Sequence, residues 1–184
     1  DDGTNGRELW KSDGTEAGTV MVKDINSGSG SSMQGGSGGY SGVGALSKAL
    51  DNTLYFSADD GTNGFELWKS DGTASGTVMV KDIDSGSGQS YPTYLTVFNN
   101  ELYFQASDGL GGSGGGKGSE LWKSDGTANG TVMVKDINVG NHASPQQLTV
   151  VGNTLFFTAN DDTHGKELWK SNGTESGTMM VKDI

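Results

Sequence analysis

Glu8-Leu9-Trp10-Lys11-Ser12-Asp13-Gly14-Thr15-Glu16-Ala17-Gly18-Thr19-Val20-Met21-Val22-Lys23-Asp24-Ile25 is the first of four near-copies, the others occupying 66–83, 120–137 and 167–184. In every copy 15 positions separate the Trp from the closing Ile, whereas the spacing from one Trp to the next falls from 58 to 54 to 47. Length therefore varies only outside the motif. A repeat of this period marks one supersecondary unit copied along the chain, so it decides the fold before any local motif does.

Inside the motif, Glu-Leu-Trp-Lys reads as a short strand and Ser-Asp-Gly-Thr as a turn. The run from Thr178 to Ile184 and its counterparts reads as a second strand. Upstream of the last copy, Leu148-Thr149-Val150-Val151 and Thr154-Leu155-Phe156-Phe157-Thr158-Ala159 are two more β runs, joined by Gly152-Asn153. Asp51-Asn52 and Asn99-Asn100 take the same place in the earlier units, and all are residue types that suit type I′ hairpins. The expected fold is all-β: a β-propeller-type array of four-stranded antiparallel blades, each of the strand order a-b-c-d. Residues 1–25 supply a half-blade (strands c and d), and 26–83, 84–137 and 138–184 supply three full blades. Val20-Met21-Val22 and its counterparts place apolar side chains on both faces of strand d, as expected where a blade is covered on both sides. A two-sheet sandwich is the alternative.

Relative to the last unit, the first full one has 11 extra residues in the Gly-rich stretch 26–40, before its a/b hairpin. The second has six extra, in Gly111-Gly112-Ser113-Gly114-Gly115-Gly116. In an up-and-down blade the d-to-a and b-to-c connections emerge on one face, so both insertions are expected there. Loops on such a face are where a ligand is best sought.

Composition narrows the function. Among 184 residues, 23 acidic side chains face 12 basic ones, for a net charge of -11. That balance argues against nucleic acid and anionic membrane surfaces, which need clustered Lys and Arg. Cysteine is absent, which removes disulfides, thiolate metal sites and a Cys nucleophile. No run has the length of a membrane span, and no segment reads as a targeting leader.

Glu8 to Thr15, Glu66 to Thr73, Glu120 to Thr127 and Glu167 to Thr174 resemble the motif of the ELWxxDGT repeat proteins, long secreted or surface-attached bacterial proteins associated with β-propeller folds. The last copy departs from the pattern, with Asn172 in place of Asp. The resemblance implies an extracellular or cell-surface location and a structural or adhesive role.

The Ser-Asp-Gly-Thr turn is also similar to the Asp-box turns of sialidase-type propellers. Asp13, Asp71, Asp125 and Asn172 are therefore expected to cap the c/d turn by accepting main-chain N–H groups, and Asn172 keeps the oxygen while losing the charge. Calcium has a better candidate in the loop before strand c. Asp1, Asp2, Asn5 and Glu8 recur as Asp59, Asp60, Asn63 and Glu66, and more loosely as Asp161, Asp162 and Glu167. Such oxygens could gather around a hard cation, although the spacing is that of neither an EF-hand nor an RTX repeat, and a solvated Asx turn is the alternative. Trp10, Trp68, Trp122 and Trp169 are expected to pack between blades, with a stacking platform for sugars as the alternative. His142 and His164 lie in unrelated loops and no nucleophile or phosphate motif occurs, so catalysis is not expected and no cofactor is called for.

The half-blade leaves an unpaired edge, which invites strand addition or end-to-end stacking into a filament. The leading expectation is a non-enzymatic structural or adhesive scaffold, self-associating or filament-forming, or a segment of a larger surface protein. A carbohydrate- or calcium-binding module and an accessory propeller of a surface hydrolase are the alternatives.

Overall fold

In a computed structural model describing residues 2–33, 47–109 and 116–184, the protein is all-β, with fourteen strands in four antiparallel sheets and no helix among those residues. Asp1, residues 34–40 of the first Gly-rich stretch and residues 111–115 of the second lie outside the described residues. The first sheet is the pair β1 (Leu9–Lys11) and β2 (Val20–Lys23). The second comprises β3 (Ser47–Leu50), β4 (Thr53–Asp59), β5 (Phe65–Ser70) and β6 (Val78–Lys81). The third comprises β7 (Thr93–Phe98), β8 (Glu101–Ser107), β9 (Ser119–Ser124) and β10 (Val132–Lys135). The fourth comprises β11 (Gln146–Val151), β12 (Thr154–Asn160), β13 (Lys166–Ser171) and β14 (Met179–Lys182). Each sheet is an open meander, and the motif supplies its last two strands.

Two local expectations need correction. Asn99 and Asn100 both have positive φ, as a type I′ turn requires, but Asp51 and Gly152 alone do so in the other two hairpins, which is the type II′ pattern. Strand d is not covered on both faces: Val20, Val78 and Val132 are exposed, and Val22, Val80 and Val134 are buried. The register explains the run of apolar residues. Leu67 pairs with Lys81 and Trp68 with Met79, so Val80 is an extra residue opposite that step, a β-bulge that breaks the alternation.

The apolar core lies between consecutive sheets. Leu9 and Ile25 of the first sheet meet Phe56, Ala58 and Trp68 of the second. Tyr55, Leu67, Val80 and Ile83 on the other face of the second sheet meet Leu102, Phe104 and Trp122 of the third. Tyr103, Leu121, Val134 and Ile137 then meet Leu155, Phe157 and Trp169 of the fourth. Alternation along β4 and β8 sends Phe56 and Phe104 backward and Tyr55 and Tyr103 forward, so both middle sheets are covered on both sides. Truncating a Trp buried in such a layer costs about 3–5 kcal/mol. The first strands of the three four-stranded sheets also touch, β3 against β7 and β7 against β11.

Candidate functional site

The Glu that opens each motif is the least expected feature. Glu8, Glu66 and Glu120 are buried, and their carboxylates are spent on the main chain. Glu66 accepts from Ile83 N at 2.9 Å, Ser90 N at 3.1 Å and the Ser90 hydroxyl at 2.6 Å. Glu8 accepts from Ile25 N at 2.9 Å and Ser32 N at 3.0 Å, and Glu120 from Ile137 N at 2.9 Å and Ala143 N at 3.1 Å. The residue so held also reaches the next sheet. Ser32 O accepts from Asp59 N, Ser90 O from Ser107 N, and Ala143 O from Asn160 N, at 2.9–3.0 Å. One carboxylate thus ties the end of its own sheet to the connector that enters the following one. Burial pushes Glu66 and Glu120 up to about 7, while the hydrogen bonds they accept pull the other way.

Lysines complete the joint. Lys23, Lys81 and Lys135 donate to Thr77 O, Thr131 O and Thr178 O of the next sheet, at 2.7–2.9 Å. On the way, the ammonium groups of Lys23 and Lys81 pass 5.8 and 5.9 Å from the ring centres of Trp68 and Trp122. Lys11 and Lys69 donate in the same sense to Gly72 O and Gly126 O. Lys123 differs: it pairs with Glu101 at 3.1 Å.

The c/d turn closes on itself. Asp13 Oδ1 accepts from Thr15 N at 2.9 Å and from the Thr15 hydroxyl at 2.7 Å, and that hydroxyl accepts from Gly18 N. Asp71 and Asp125 repeat the pattern, and Asn172 keeps it through Oδ1, at 3.0 and 2.7 Å from Thr174 N and its hydroxyl. These bonds hold Asp13, Asp71 and Asp125 below the usual carboxylate range. The second glycine of the motif is required by close approach, since a Cβ on Gly18, Gly76, Gly130 or Gly177 would collide with the capping side chain.

The residues grouped for calcium separate into two sets. Asp2, Asp60 and Asp161 each accept main-chain N–H groups two and three positions ahead, and Asn5, Asn63 and His164 return a side-chain bond to them. Asp59 accepts from Gly61 N, and Asp162 from Asn141 Nδ2. Glu8 and Glu66 belong instead to the buried joints, and Glu167 accepts from Ile184 N at 3.2 Å. Among the described residues no three acidic or histidine side chains gather where they could hold a metal ion.

Trp68, Trp122 and Trp169 are each 6% exposed, in the layers between sheets, whereas Trp10 is 38% exposed. Three of the four indoles therefore offer no face to a sugar. The histidines do not meet: His142 Nδ1 accepts from Ser119 N and His164 pairs with Asp161. A cleft of about 310 Å³ opens between the first and second sheets beside β1, walled by Leu9, Trp10, Met33, Leu54 and Phe56.

No family model, curated protein or solved structure matches this chain.

The carboxylate and lysine joints were missed in the sequence reading, although one signal for them was present. An acid that recurs unchanged beside Leu and Trp in every copy sits in an apolar strand, where it needs a buried partner.

Proposed function

We propose that this chain is a non-enzymatic structural scaffold of extracellular or cell-surface type, a β-propeller-like array akin to the ELWxxDGT repeat proteins. One observation carries the reading: in the first three copies the motif's Glu and five of its six Lys join sheet to sheet, and in all four copies the side chains of its Ser-Asp/Asn-Gly-Thr turn close that turn. A repeat kept for catalysis or ligand binding would turn some of those side chains toward a shared cavity. The contact of β3 with β7 and of β7 with β11 supports blades that converge on an axis by their first strands, with strand d outermost. The extracellular part rests on the Glu-Leu-Trp-Lys-Ser-Asp-Gly-Thr resemblance and the acidic surface.

Antibody labelling of intact against permeabilised producing cells tests the location, and a signal seen only after permeabilisation overturns it. Small-angle scattering of the purified chain tests the array, since blades converging on an axis give a curved wedge and independent sheets give an extended chain.

A calcium- or carbohydrate-binding module is the second reading, favoured by the recurrence of Asp2, Asp60 and Asp161 at one loop position. A ligand that binds only the folded chain raises its melting temperature. Equal melting in calcium and in chelator removes the metal version.

A further inference from the structure

Two oxygens inside the layer between the third and fourth sheets have hydrogen-bonding capacity that the protein does not use. Gln105 lies on β8 directly opposite Leu121 and two residues from Tyr103, both of which pack against the fourth sheet, so its side chain enters that layer. Thr93 stands directly opposite Gln105 on β7 and projects from the same face. It is only 7% exposed. Thr93 Oγ1 and Gln105 Oε1 are both buried, and neither bonds the other or any other group. Of the nine such atoms among the described residues, these two alone belong to residues paired across a ladder. Leaving a hydroxyl and an amide oxygen in this condition is costly, and native proteins rarely do so.

The fourth sheet shows how the amide is otherwise satisfied. There the two residue types are exchanged, Gln146 on the first strand opposite Thr158 on the second, and Lys166 donates to Gln146 Oε1 at 2.6 Å. Ser119 takes the lysine's place in the third sheet, with a side chain too short to cross the intervening strand. Among the described residues no other donor replaces it.

We infer that a water molecule binds between Thr93 Oγ1 and Gln105 Oε1 as a fixed part of the joint between the third and fourth sheets. Gln105 Oε1 can only accept, whereas the Thr93 hydroxyl both donates and accepts. A water that gives one proton to the amide oxygen and receives the hydroxyl proton of Thr93 meets the needs of both. A buried water holds on at least two such partners, and this pair supplies them. The site does not depend on the scaffold reading.

A crystal structure of the chain is the direct test, and it is expected to show one ordered solvent peak within hydrogen-bonding distance of both oxygens. Thermal unfolding of Thr93→Val, Gln105→Met and the double variant reads the same site in solution. Each single change strands the other oxygen and is expected to lower the melting temperature by about 2–4 °C, the size of a lost hydrogen bond in a chain of this length. The double variant removes both oxygens together, so its loss is expected to be smaller than the sum of the two single losses. Absence of the solvent peak overturns the inference, as does a direct Thr93–Gln105 hydrogen bond in the crystal. An unchanged or raised melting temperature in either single variant overturns it too, and so do losses that add in full in the double variant.

Discussion

Glu66 and Asp71 lie on one hairpin and are both carboxylates, yet their environments drive them in opposite directions. Glu66 is fully buried, binds the end of its sheet and the connector leaving it, and is pushed up to about 7 by loss of water. Asp71 is exposed, binds a residue of its own turn, and is held below its ordinary 3.8 by those bonds. Chemical type decided neither role. What differs is reach: a turn acid meets donors that the local chain already presents, and a joint acid must meet donors brought from distant positions.

The contrast is broken most severely at Glu120. Replacing it with Ala strips the acceptor from Ile137 N and Ala143 N inside the protein, and each orphaned buried donor costs about 1–3 kcal/mol. Urea unfolding of Glu120→Ala is expected to show a loss of about 3–5 kcal/mol, in the range for breaking a buried charged interaction. A loss below about 1 kcal/mol would mean that the joint is not held by its carboxylate.

The pH dependence sharpens the same comparison, because the two acids contribute with opposite signs. Glu66 and Glu120 take up a proton near pH 7 when folded and near 4.5 when unfolded, so between those values the folded chain binds more protons. Their contribution is complete below about pH 4.5 and is lost as the pH rises through about 7. Each can contribute up to about 3 kcal/mol. The turn acids, with folded values below 3.8, act the other way, and their contribution is lost only as the pH falls below that range. Melting temperatures measured from pH 5 to pH 8 should therefore fall, and the double variant Glu66→Gln, Glu120→Gln should flatten the slope. A wild-type chain whose melting temperature rises over that interval contradicts the assignment.

What could be read from sequence follows the same division of reach. The c/d hairpin was legible because its Asp, Gly and Thr interact within a few positions, and four copies of fixed length exposed the pattern. The a/b hairpins were legible from Asp51-Asn52, Asn99-Asn100 and Gly152-Asn153, although their φ angles separated one turn from the other two. The Glu66 to Ser90 and Lys69 to Gly126 bonds were not legible, because they join residues whose approach depends on how one sheet seats on the next. Grouping Glu8 and Glu66 with the loop acids before them was the same error: adjacency in sequence placed together groups that the strand separates. The bulge at Val80 hid the true exposure of strand d for a related reason, since alternation alone carries no sign of an inserted residue.

The smaller effects belong to the turn. Asp125→Ala removes the acceptor for Thr127 N and its hydroxyl, but both groups can turn to water at this exposed site. The expected loss is a small fraction of that for Glu120→Ala, read from the same urea titration. Asp125→Asn should cost less still, as surface changes that preserve the interaction do. The fourth unit already performs that experiment, since Asn172 Oδ1 receives Thr174 N and the Thr174 hydroxyl at distances close to those at Asp125. The converse change, Asn172→Asp, should be equally mild and should add a turn acid whose contribution is lost in acid. If Asp125→Asn instead approaches the loss seen for Glu120→Ala, charge at the turn is needed for something beyond capping, and the distinction between the two carboxylates collapses.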